Sequence, residues 1–281
     1  MKDLRKRTDL ALESAESVNV NAGLPDGISV AEKKTSCFLV TDVSVSSRDA
    51  AERIEKPIGR YVTLETGARL DMRPENFEQC AHDLAEEITA LKGGADRILV
   101  VGLGNEDITP DSLGPRVCSH IFATRHIREN APMLYSDDLG EVSAIAPGVM
   151  GQTGIEASEL IKSVCGSIKP SMVIAVDALA CSDISHLGRT IQLTDTGISP
   201  GSGVLNSRKE LSKSTLGVPC LAIGVPTIAD LGRADGTDEP LMVTPRSIDK
   251  LISCSAQLIS AALNLSLHEG LTFEEIISLT T

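Results

Sequence analysis

The sequence predicts an α/β fold: a doubly wound, largely parallel sheet with helices on both faces. Two observations carry this. Continuous apolar runs at 97–101, 172–177 and 220–225 have the length and β-branched content of strands buried on both sides. Between them lie segments whose apolar residues recur three and four apart, the period of an amphipathic helix. The clearest is 75–92, where Phe77, Ala81, Leu84, Ile88 and Leu91 form one stripe and Gly93-Gly94 ends it. Buried strands alternating with helices make a sheet covered on both faces.

Taken in order, residues 1–18 are charged and predict a short helix, and 19–36 are rich in turn formers and read as loop. Strands are predicted at 37–43 and 60–64, a helix at 75–92 and a strand at 97–101. A helix follows at 111–127, with Pro115 in its first turn, where a missing N–H does no harm. A strand at 142–146, a helix at 154–164, and strands at 172–177, 190–193 and 220–225 complete the alternation. Helices at 247–267 and 273–279 close the chain. No internal repeat is visible, so one domain with an N-terminal extension is expected.

The 281 residues are 42% hydrophobic and only 2% aromatic, with no Trp, so the core is built from Leu, Ile, Val and Ala. The net charge of −13 disfavours nucleic acid and anionic membranes as partners. The apolar runs are too short to cross a bilayer, and the charged start does not read as a secretory leader. Seven cysteines, an odd number with no CxxC, predict reduced thiols in a cytosolic protein. Neither CxxC nor HExxH occurs, so no metal or other cofactor is expected.

Loops after the carboxyl ends of such strands usually carry the site. The first runs from Gly102-Leu-Gly104 to Asp111-Ser-Leu-Gly-Pro115. Asp111 reads equally as a helix N-cap or as a catalytic carboxylate. The Gly102-x-Gly104 pair is not a dinucleotide fingerprint, because Asp107 stands where the third glycine belongs. The second loop opens at Asp177, a carboxylate just past a buried strand that must be paired, hydrogen-bonded or protonated. The third holds Asp195-Thr-Gly197, the triplet of pepsin-like proteases. One copy in an α/β context does not make that fold, although Asp195 can line the same cleft. No GxSxG elbow occurs, and Cys118 and Cys181 read as inert thiols despite histidines nearby in sequence.

The strings Gly102-Leu-Gly-Asn105, Thr109-Pro-Asp111-Ser-Leu-Gly-Pro115 and Thr124-Arg-His126 resemble those of the germination protease family. The likeness continues through Ala146-Pro-Gly-Val-Met-Gly-Gln-Thr-Gly154, Val173-Ile-Ala-Val-Asp177-Ala-Leu-Ala180 and Thr190-Ile-Gln-Leu-Thr-Asp-Thr-Gly197. It ends in Pro200-Gly-Ser-Gly203 and Ile223-Gly-Val-Pro-Thr227. The resemblance implies a fold similar to the hydrogenase maturation endopeptidases, with Asp111 and Asp177 as the two essential carboxylates. It implies an endopeptidase that degrades small acid-soluble spore proteins during germination, made as a self-processing zymogen, tetrameric, and acting in the cytoplasm of the spore core.

Thr8-Asp-Leu-Ala-Leu-Glu13 resembles the family's cleavage motif, Thr-Glu-(Phe/Ile)-Ala-Ser-Glu. Self-cleavage between Asp9 and Leu10 is therefore expected, with 1–9 as propeptide and 10–281 as the protease domain. The glycines at 102, 104, 201 and 203 (Gly102, Gly104, Gly201, Gly203) are candidates to present N–H groups to an oxyanion. Arg125, His126 and Arg208 are candidates to hold the substrate's glutamate. The chain departs from the family in its shorter stretch after Asp230, in Leu205 where a Gly is common, and in lacking an Arg near Cys181. Two other readings are a metal-dependent maturation-type endopeptidase on the same fold, exposed by a chelator, and a non-enzymatic flavodoxin-like binding module, indifferent to loss of either aspartate.

Overall fold

The computed structural model describes residues 8–22, 26–131, 133, 139–199, 209–233 and 240–280. Its centre is a run of four parallel strands. These are β4 (Arg97–Gly102), β5 (Glu141–Ile145), β6 (Met172–Cys181) and β8 (Cys220–Arg233), in the order β5-β4-β6-β8. Beyond β8 the sheet continues antiparallel through β7 (Thr190–Thr194), β3 (Gly59–Glu65), β2 (Leu39–Val45) and β1 (Ile28–Lys34). The short β9 (Pro240–Val243) pairs with the far end of β8. The result is the α/β architecture expected, with helices on both faces.

The helices are α1 (Ala11–Ala22), α2 (Arg48–Ile54), α3 (Phe77–Lys92), α4 (Leu113–Cys118), α5 (Arg125–Asn130), α6 (Met150–Thr153), α7 (Ala157–Ile168), α8 (Lys213–Leu216), α9 (Ile248–Leu267) and α10 (Phe273–Thr280). On one face α3, α4 and α9 pack Leu84, Ile88, Leu113, Ile259 and Leu263 onto Val62, Leu64, Val100, Ile174, Val176 and Ile223. On the other, α7 and α8 pack Ile161, Cys165 and Leu216 onto Leu99, Val101, Val173 and Ala175. At the opposite end of that second face, α1 and α2 cover Val43, Val45 and Tyr61. Helix α9 has the length and apolarity of a membrane span, and most of it is buried inside the molecule. Its apolar residues are spent on the core.

Four expectations need correction. The stretch 19–36 is not all loop: it ends in β1, an edge strand with only Ile28 buried, so its sequence lacks a strand's usual alternation. The helix expected at 111–127 is broken into a 3₁₀ turn (Thr109–Asp111), α4 and α5. The break has a tertiary cause. Asn264 on α9 and His268 just past its end bond the Phe122 N–H and carbonyl and the His120 carbonyl, occupying groups that a continuous helix would have used. Gly154 does not open a helix but ends α6, in the left-handed conformation that suits glycine. The cysteines are not all thiols: Cys37 and Cys80 form a disulfide that ties the start of β2 to α3 across 43 positions of sequence.

Leu263 on α9 is fully buried. Leu263→Ala is expected to cost about 2–5 kcal/mol, read as a lower urea midpoint with an unchanged slope.

Candidate active site

Strand alternation decides what faces the second side of the sheet. On β6, Val173 and Ala175 point to that side, so Asp177, Leu179 and Cys181 follow them. On β7, Ile191 and Leu193 belong to the large core, so Gln192 and Thr194 point the other way. The register pairs Asp177 with Gly224, and Gly224 with Gln192. These three residues therefore form one row across β6, β8 and β7. Above this row lies a cleft of 1190 Å³, lined by Asp111, Asp177, Gln192, Thr194, Lys56, Tyr61, Thr8 and Asp9 among others.

Asp177 is 5% exposed, and its Oδ1 accepts the N–H of Ala178 at 2.9 Å. Asp111 reaches the same cleft from the loop after β4. It closes the 3₁₀ turn rather than capping α4, whose cap position is Ser112. Its Oδ2 accepts the N–H of Asn105 at 2.9 Å, and its carbonyl shares that N–H at 3.1 Å. Two glycines make this loop possible. Gly104 has φ +114°, and a Cβ there would fall onto the Asp111 carbonyl oxygen; a Cβ at Gly102 would strike the backbone of Gly114. They serve by being small, and neither lines the cleft.

The chain's own N-terminal segment lies in the cleft. Strand β6 is paired with β4 only as far as Val176, and among the described residues no other strand pairs with that edge of its last five residues. Asp9 fills part of that edge: its N–H donates to the Ala180 carbonyl at 2.9 Å, and its carboxylate accepts the Ala180 N–H at 2.8 Å. The Asp9 carbonyl accepts from Lys56 Nζ at 3.0 Å and from Gln192 Nε2 at 3.1 Å. The Leu10 N–H donates to the Thr8 hydroxyl at 3.0 Å. Leu10 is fully buried against Leu179, Cys181, Leu187 and Ala229, a burial that contributes about 2 kcal/mol.

Three residues further on, the Glu13 carboxylate is 6% exposed. It accepts from the Ser182 N–H and hydroxyl at 2.7 and 2.5 Å, and from the Asp183 N–H at 3.1 Å, with His186 Nε2 at 4.0 Å. Sequence reasoning missed this socket, as well as Lys56 and Gln192. The socket and Lys56 carry no motif, and Gln192 stands inside the 190–197 string without being singled out there.

The cations expected to hold an acidic side chain stand elsewhere. Arg125 opens α5 and pairs with Glu129 at 2.6 Å and Glu141 at 3.9 Å. His126 beside it is exposed, and neither residue lines the cleft. The reason is topological: α5 packs at β5, on the far edge of the parallel strands. Asp195 is exposed and outside the cleft, its Oδ1 accepting the Arg60 N–H at 2.8 Å. Gly201, Gly203 and Arg208 lie outside the described residues. Among the described residues, no group of three or more His, Cys, Asp or Glu side chains is placed to hold a metal ion.

Electrostatics set the cleft's other groups. Burial pushes the Lys56 ammonium below the ordinary lysine value, opposed by Asp9, Glu13 and Glu55. The His186 imidazole is raised, first by its hydrogen bond to Glu65, against the opposing effect of burial, with Glu13 and Asp183 adding to the rise. Burial drives the Cys181 thiol up to about 12, which makes it a poor nucleophile at neutral pH.

Comparison with known proteins places the chain. A family model for germination protease matches residues 6–238. The germination protease of Caldanaerobacter subterraneus subsp. tengcongensis is 38% identical, over 96% of this chain and 96% of that protein. That of Bacillus velezensis is 42% identical, over 96% of this chain and 76% of that protein. That of Priestia megaterium is 43% identical, over 80% of this chain and 63% of that protein. A solved nickel–iron hydrogenase maturation protease from Thermococcus kodakarensis matches 63% of this chain and 98% of its own, at 18% identity and a TM-score of 0.35.

Gly104→Ala is expected to cost about 2–3 kcal/mol through strain and overlap with Asp111, measured by chemical unfolding. His186 supplies a pH test. Its folded pKa is raised, so its contribution to stability is complete below the unfolded value of about 6.5. That contribution is lost as pH climbs through the folded value. The stability difference between wild type and His186→Gln should therefore be largest near pH 5.5 and shrink toward pH 8.5.

Proposed function

This chain belongs to the germination protease family, and from that premise we propose a two-carboxylate endopeptidase in which Asp111 and Asp177 activate water against a peptide bond. Family membership makes it a protease of spore germination. The finer reading is supported by one observation: the cleft lined by Asp111 and Asp177 is also lined by Thr8 and Asp9, from the segment that resembles the family's cleavage motif.

Two carboxylates in one cleft, one of them buried, resist ionising together. Asp177, the more buried, keeps the proton and acts as the acid. Asp111 is the base: it takes a proton from water as the water oxygen attacks the carbonyl carbon. Asp177 then delivers its proton to the departing amide nitrogen. The bond between Asp9 and Leu10 is the self-processing site, releasing residues 1–9 as a propeptide and leaving 10–281 as the mature protease. Small acid-soluble spore proteins are the substrates in trans, and the enzyme works as a homotetramer in the cytoplasm of the spore core.

The test is cleavage of a peptide containing Thr-Glu-Ile-Ala-Ser-Glu by the wild-type chain and by Asp111→Asn and Asp177→Asn, with and without chelator. Each substitution should lower kcat by roughly 10²–10⁴-fold, and chelator should have no effect. Cleavage that survives either substitution would remove the pair. Loss with chelator would move the case to a metal-dependent enzyme. N-terminal sequencing of the matured chain should begin at Leu10; any other start would move the processing site.

A further inference from the structure

The Asp9 carbonyl oxygen accepts two side-chain hydrogen bonds, from Lys56 Nζ at 3.0 Å and Gln192 Nε2 at 3.1 Å. Under the self-processing reading, on which this inference rests, that carbonyl belongs to the bond to be cut. We propose that Lys56 and Gln192 are catalytic residues of this protease: they form its oxyanion-stabilising pair.

The geometry argues for this role over simple tethering of the segment. The Gln192 amide straddles Leu10, because its Oε1 accepts the Ala11 N–H at 2.7 Å while its Nε2 donates to the Asp9 carbonyl. One planar group thus grips both sides of the residue that follows the bond. Its own strand register puts it in the same row as Asp177. Lys56 is half-buried and also donates to the Thr8 carbonyl at 3.0 Å, which fixes its ammonium at this point of the chain. A cation and an N–H donor already fixed in place stabilise a developing negative charge more than solvent does, because they need no reorganisation as the charge forms.

The step balances. The water oxygen bonds to the Asp9 carbonyl carbon as Asp111 takes one water proton, and the C=O π pair moves onto oxygen, where both donors hold it. The pair returns, the bond from carbon to the Leu10 nitrogen breaks, and nitrogen takes the proton of Asp177. Lys56 and Gln192 keep their own protons throughout. One peptide bond and one water become a carboxylate and an ammonium, the second proton of the water passing to the new amine and the two aspartates returning to their starting states. A substrate peptide would place its carbonyl at the same two donors.

The experiment follows self-processing of the full chain by mass spectrometry, in wild type, Gln192→Glu, Lys56→Met and Lys56→Arg. Hydrogen exchange at the Asp9 and Ala11 amides is measured in each as a readout of docking. Gln192→Glu keeps the acceptor for Ala11 but loses the donor. It should slow appearance of the Leu10 terminus about 100-fold with amide protection retained. Lys56→Met should slow it by a similar factor, and Lys56→Arg should recover part of the rate. Wild-type rates in both Gln192→Glu and Lys56→Met would overturn the proposal while leaving the protease reading intact. A rate loss that merely follows loss of amide protection would also overturn it, by reducing both residues to tethers. Absence of cleavage at this bond in the wild-type chain would overturn it together with self-processing, and the peptide assay would then report separately on the family's activity.

Discussion

The site depends on a mismatch of strand lengths. Strand β6 runs ten residues and β4 only six. Backbone N–H and C=O groups in a buried place must find partners, so the overhanging edge of β6 requires another chain segment beside it. The chain's own segment at Asp9 meets part of that requirement, through one backbone bond to the Ala180 carbonyl and through the Asp9 carboxylate on the Ala180 N–H. Asp177 sits where the overhang begins. Leu179 and Cys181, on the same face, offer an apolar floor, and Ala180 presents the backbone groups. A shorter β6 would leave Asp177 at the sheet's end with nothing aligned beside it.

Much of this arrangement was legible in the sequence because local rules governed it. The apolar runs at 97–101, 172–177 and 220–225 form buried strands as expected, and Asp177 announced itself by its cost of burial, although no loop opens there: β6 runs on past it to Cys181. Gly102 and Gly104 read in sequence as candidate N–H donors; what the structure adds is the close passage of the Gly114 backbone at the first and of Asp111 at the second. What sequence could not show is what distant segments do to one another. Gln192 reads as one polar residue in a strand, and its meaning comes from Asp9 and Ala11, more than 180 positions earlier. Lys56 follows a short helix with no motif. Cys37 and Cys80 lack the spacing of any recognised pair. The interruption after α4 comes from Asn264 and His268, which no window around residue 120 contains.

The treatment of acidic groups is also instructive. In a protein of net charge −13, arginines are the expected partners for a glutamate in a cleft. Instead Glu13 is held mainly by two backbone N–H groups and a hydroxyl, with His186 at longer range. Such neutral dipoles are fixed by the fold and need no flexible side chain to be ordered around the ligand. The arginine expected for that task, Arg125, is committed to ion pairs on another edge of the sheet.

Helix α1 begins one residue beyond Leu10, and the Leu10 carbonyl already accepts the Ser14 N–H at 3.3 Å. In the uncut chain the Thr8 hydroxyl shields the Leu10 N–H. Scission before Leu10 would remove that shield and create an ammonium at the positive end of the helix dipole. The opposed charge costs roughly 0.3–1 kcal/mol. Scission there would therefore do more than shorten the chain: it would set a new charge against the first turn of the helix that follows, while Leu10 and Glu13 kept their burial and their hydrogen bonds.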